Sequence, residues 1–200
     1  MNRSMKIAVL LTAFVLVTVL TNSSTGQNND QGDERAKAEK KRIQQGLEIA
    51  PVNLTFRNRD RDLVGLGSYI VNAQAACADC HSCPTYAAGH NPFQGGDGQI
   101  NATNYLAGGV PFGPIISANI TPDANGKPAG LDFEEYLELI RTGHDPDDPD
   151  EILQVMPWPI FRNMNDRDIL AIYTYLSAIP CLEGDPGVNP SAPPPYRCAH

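Results

Sequence analysis

Cys77-Ala78-Asp79-Cys80-His81 is the stretch on which the reading of this chain turns. Two cysteines three positions apart on one helical turn project to the same side, and a histidine follows at once. In this pattern the two thiols can reach both vinyl groups of a haem while the imidazole meets the iron. Three other chemistries fit less well. A zinc site drawn from Cys77, Cys80, His81 and Cys83 would crowd four donors into seven residues, too close in sequence to surround a tetrahedral ion, and the usual second ligand pair is missing. A thioredoxin-like redox pair calls for a βαβ setting that this sequence lacks. A plain structural disulfide leaves His81 unexplained. The motif implies one covalently attached haem c, held by Cys77 and Cys80 with His81 as an iron ligand.

The surroundings agree. Leu63, Leu66 and Ile70, with Val64, Tyr69 and Val71 beside them, follow a helical period that runs straight into the cysteines. Gly65 and Gly67 weaken that helix and suit the close approach of another. A second helix is predicted over Asp132–Arg141, capped by Asp132 with Glu135 three residues on and ended by Gly143. A third runs over Asp166–Ala178, capped by Asn165 and stopped before Pro180. Between the first two lie about fifty residues rich in Gly, Pro and Asn, a length that fits a compact domain only if the loop wraps a large non-protein group. The expected fold is all-α: a few helices and long loops around one haem.

Iron needs a second axial ligand. Met156 sits in Val155-Met156-Pro157-Trp158-Pro159, where prolines stiffen a loop able to present a thioether. Met164 directly precedes the Asn165 cap and has an alternative role, packing on Ile169 as a hydrophobic staple. Met156 is therefore assigned to the iron ahead of Met164. His90, His144 and His200 read as surface residues, and the acidic run Asp145–Glu151 as a solvated loop that could also guide a basic partner.

Composition sets the outer bounds. The 200 residues include 17 Gly and 17 Pro, and the net charge of −8 with a pI near 4.9 argues against a nucleic-acid binder. Arg3 and Lys6 precede an apolar block, Ile7–Leu20, so residues 1–26 read as a signal peptide or, if uncleaved, an N-terminal membrane anchor. Residues 27–60 read as a charged linker, 61–180 as the haem domain and 181–200 as a Pro-rich tail. In an oxidising compartment Cys181 and Cys198 can pair across that tail, leaving Cys83 as a thiol without an assigned role.

The chain resembles the class I c-type cytochromes, and more closely the haem domains of cytochrome c subunits from bacterial alcohol- and gluconate-type dehydrogenases. The resemblance is carried by Gly67-Ser68-Tyr69-Ile70-Val71 leading into the cysteine motif, Ala118-Asn119-Ile120-Thr121-Pro122-Asp123, Phe133–Gly143, Met156-Pro157-Trp158 and Met164–Asp168. It implies covalent haem c, His81 as proximal and Met156 as distal ligand, and first and last helices that cross at Gly67, beneath Tyr173 or its neighbours. It further implies an exported, periplasmic single-electron carrier rather than an enzyme, between a dehydrogenase donor and an oxidase or other cytochrome as acceptor. The alternative is a peroxidase-like haem enzyme or gas sensor with a displaceable sixth ligand. Such subunits usually carry three haem motifs; this sequence has one.

Overall fold

The computed structural model describes residues 24–183. The export segment read at 1–26 therefore falls mostly outside the described residues, as do Cys198 and nearly all of the tail. Two units divide the chain after Lys40. The first contributes the opening turns of helix α1 (Ser24–Ile49), in which residues 30–38 are exposed and largely polar or charged, with Lys37 donating to Glu34 at 2.9 Å. Among the described residues no helix is long and apolar enough to cross a membrane.

The second unit begins at Lys41, not near Arg61. Residues read as linker are thus the last turns of α1, and they pack: Ile43 is buried, and Leu47 and Ala50 lie against the core. The spacing Ile43, Gly46, Leu47, Ala50 is a short apolar stripe of helical period, hidden in sequence by the charges around it.

Helix α2 (Arg61–Tyr69) starts at Asp60, whose carboxylate accepts from the Asp62 and Leu63 backbone N–H groups. It runs into a π turn, Ile70–Gln74, closed by Ala75 N–H donating to Ile70 O at 2.8 Å. Ala76 then takes a left-handed conformation and opens α3 (Cys77–His81). Helix α4 (Phe133–Thr142) has the predicted capping box: Asp132 accepts from Glu135 N–H while the Glu135 carboxylate accepts from Asp132 N–H. Gly143, at φ 76°, ends it. A short helix α5 (Trp158–Phe161) precedes α6 (Asp166–Ala178), capped by Asn165 as expected.

The core forms where α2 crosses α6. Val64, Leu66 and Val71 meet Ile169, Ile172 and Leu176, all buried. At the crossing a Cβ on Gly67 would overlap Ala171 O and crowd Tyr175 Cβ, so only glycine lets the backbones come this close. The crossing at Gly67 is present with Ala171 and Tyr175, neighbours of Tyr173, as its floor, while Tyr173 itself packs on Phe133 and Tyr136. The long loop between α3 and α4 is built from turns and one minimal hairpin, β1 (Pro111–Phe112) with β2 (Ile115–Ile116).

Candidate functional site

Cys77 and Cys80 stand on the single turn of α3 as free thiols, and His81 closes the turn. Burial pushes the Cys77 thiol up to about 12, so it is held as S–H, not as a thiolate. The His81 ring is fixed by one contact, Nδ1 to Ala118 O at 2.8 Å. A carbonyl only accepts, so Nδ1 carries the proton and Nε2 is left with its lone pair. Burial also lowers the imidazole's pKa, which keeps the ring neutral, while the Ala118 contact works weakly in the other direction. A neutral imidazole with a bare, oriented Nε2 is what an iron requires.

The loop is tied to this turn at several points. Gly108 N–H donates to His81 O at 2.7 Å, and Leu106 N–H donates to the buried Ser82 hydroxyl at 2.9 Å. Asn104 Nδ2 donates to Cys83 O at 3.0 Å. The segment after Ala118 is pinned in turn: Asn119 Nδ2 and Thr121 Oγ1 both donate to Leu182 O, beyond α6. This explains the chemistry of Ala118-Asn119-Ile120-Thr121, in which one carbonyl orients His81 while two side chains anchor the loop segment that supplies it.

Beside the site is a buried polar network that sequence reasoning did not find. Tyr105 and Tyr175, both fully buried, share a hydrogen bond of 2.8 Å between hydroxyls. Tyr105 also donates to Asn72 Oδ1 at 2.6 Å, and Asn72 Nδ2 donates to Tyr175 OH and to Ser68 Oγ. The Ser68 hydroxyl donates to Gly46 O at 2.6 Å, which carries the network to α1. No periodicity could have marked Tyr105, a loop residue, while Asn72 owes its place to the π turn.

Met156 and Met164 are both half-buried against the core. Met164 lines a recess of about 340 Å³ with Ile70, Gln74, Ala75 and Phe161, and no residue of the Cys77–His81 turn borders it. Its carbonyl accepts from Arg141 Nη1 at 2.7 Å, and the same guanidinium bonds Arg162 O and Asp166. Met156 lies on the loop before Trp158, whose Nε1–H donates to Leu153 O at 3.2 Å. His90 pairs with Asp97 at 2.7 Å, and His144 Nδ1 meets Pro149 O, so both half-buried rings have partners away from the Cys77–His81 turn. Among the described residues no three His, Cys, Asp or Glu side chains gather as a metal site, so the donors between 77 and 83 form no closed cage. Cys181 is disulfide-bonded; Cys198, which the sequence reading pairs with it, lies outside the described residues.

Comparison with known proteins points the same way. Over 113 residues the chain is 31% identical to the gluconate 2-dehydrogenase cytochrome c subunit of Pantoea cypripedii, covering 56% of this chain and 22% of that protein. Against the cytochrome c subunit of the quinone alcohol dehydrogenase of Gluconobacter oxydans it is 30% identical over 119 residues, 60% of this chain and 22% of the relative. The corresponding subunit of Komagataeibacter europaeus is 32% identical over 135 residues, 68% of this chain and 24% of the relative. The chain resembles dehydrogenase cytochrome c subunits. The matches span less than a quarter of these subunits' own length. No protein-family model matches the chain.

Proposed function

We propose that this protein is a mono-haem c-type cytochrome that passes single electrons from a periplasmic dehydrogenase to a downstream acceptor. The observation that carries the reading is the His81 ring, held by Ala118 O with Nε2 bare, on the same turn as the free thiols of Cys77 and Cys80. Cys77 and Cys80 would hold the haem through thioethers, and His81 Nε2 and Met156 Sδ would ligate its iron. The bound group supplies a one-electron ferric–ferrous couple. The protein's own part is to orient His81 through Nδ1–H, to bury the site and to keep both ligands in place. Met164 lines a recess that no residue of the Cys77–His81 turn borders, which favours Met156 as the distal ligand. Methionine opposite histidine raises the potential, which suits accepting electrons from a dehydrogenase.

The test is an intact mass and an optical spectrum of exported protein. The expected result is one added haem that resists acidified organic solvent, with the weak near-infrared band of methionine-ligated ferric iron. Extractable haem overturns covalent attachment. Ready binding of carbon monoxide by the ferrous protein, or turnover of peroxide, gives the case to an enzyme or gas sensor.

A further inference from the structure

The chain leaves α4 at Gly143, makes the acidic excursion Asp145–Glu151 and returns at Leu153, whose N–H donates to Gly143 O at 2.9 Å. From Leu153 the chain closes on itself within six residues. Trp158 Nε1–H donates back to Leu153 O, and Trp158 N–H donates to Met156 O at 2.8 Å. Met156 is thus enclosed between two hydrogen bonds made by one tryptophan. The indole is seated against the end of α4: a Cβ on Gly143 would overlap ring atoms Cε2, Cδ2 and Nε1. Gly143 therefore does two things, ending α4 at φ 76° and leaving space for the ring.

We propose that Trp158, seated on Gly143, is a positioning residue for the Met156 thioether. Resting on the reading of Met156 as the distal ligand, the inference adds how that ligand is kept on the iron. A free loop of this length samples many conformations, and the seated ring with its Nε1–H bond to Leu153 O, added to the backbone bond from Trp158 N–H to Met156 O, removes most of them before the ligand binds. The rigid end of α4 is the reference against which the loop is held.

Trp158→Leu removes the ring and its donor; Trp158→Phe keeps an aromatic ring and removes the donor. The full-length haem-loaded variants are compared by the near-infrared ferric band, the pH at which that band is lost, and the rate of carbon monoxide binding to ferrous iron. The leucine variant is expected to lose the band at neutral pH and to bind carbon monoxide at least tenfold faster. The phenylalanine variant is expected to keep the band at neutral pH and lose it at lower alkaline pH than the parent. Asp132→Ala, which removes the cap at the far end of α4, serves as the control and should lower the melting temperature without moving the band. An unchanged band, pH midpoint and carbon monoxide rate in both Trp158 variants overturn the inference, as does an equal shift in Asp132→Ala. If Trp158→Leu does not fold, the pH midpoint of Trp158→Phe decides alone. Met156→Ala separates the two readings: a band that survives it removes the ligand assignment itself, whatever Trp158 does.

Discussion

A single hydroxyl group shows how closely the interior is specified. Tyr105 reaches the core from a loop and satisfies its O–H with Asn72 while sharing a bond with Tyr175. Replacing it by Phe leaves Asn72 Oδ1 without that donor, a loss of about 1–2 kcal/mol that a urea titration will read as a lower midpoint at constant slope. Burial raises the pKa of both tyrosines above the usual value near 10. The folded chain therefore retains protons that the unfolded chain gives up, so stability is full below about pH 10 and falls as the pH rises beyond it. Tyr105→Phe should show a shallower fall between pH 9 and 11, measured by the same titration; an equally steep fall would mean that Tyr105 plays no part in it. At this scale the sequence was partly legible. Cys77, Cys80 and His81 announce themselves by spacing, whereas Ala118 acts through its carbonyl, which every residue has, and nothing local marks it.

Helices were legible in proportion to how much of their ending is written in side chains. Helices α4 and α6 have caps that name themselves, Asp132 with Glu135 and Asn165 with Asp168, and their predicted bounds agree with the observed ones to within a residue or so. Helix α1 has a weak apolar stripe confined to its last turns, so its packed part was read as linker. Two of its glycines give a test with opposite signs. A Cβ on Gly46 would overlap Gly65 O and crowd Tyr69 N, so Gly46→Ala must push α1 away from α2 and strain the Ser68–Gly46 hydrogen bond. The expected loss is about 1–3 kcal/mol in thermal or chemical denaturation. Gly32, with nothing within 4 Å, sits on the same helix in the open. Gly32→Ala should favour its own turns by about 0.5–1 kcal/mol, read as slower amide exchange over residues 30–36. If both substitutions act alike, the contact of α1 with α2 is not what keeps Gly46 a glycine.

At the scale of the whole molecule the long loop is the part that least resembles a self-sufficient fold. Its anchor points are hydrogen bonds to the haem-motif turn and to Leu182, and between them it has one two-residue hairpin. The pair α2 and α6 has a dense apolar contact of its own. Replacing Cys77 and Cys80 together by Ala, which would remove the proposed cofactor attachment, should leave the far-ultraviolet helix signal largely in place while residues 84–117 become the first site of limited proteolysis. Cleavage starting instead within α2 or α6 would show that the helices, too, depend on attachment. The loop's length marked it in the sequence as unusual, but its path was not legible, because turns held by backbone partners distant in sequence leave no local pattern. The π turn at Ile70–Gln74 has its own consequence for how such a chain can change over generations. It works as a spare residue in the count between the helix crossing at Gly67 and the thiol at Cys77. Remove one residue there and a regular helix would turn everything after it by about 100° around its axis. Insertions and deletions, harmless in most of the loops, are thus constrained over these five positions: a lineage could shorten this stretch only by moving either the crossing or the thiol pair out of register.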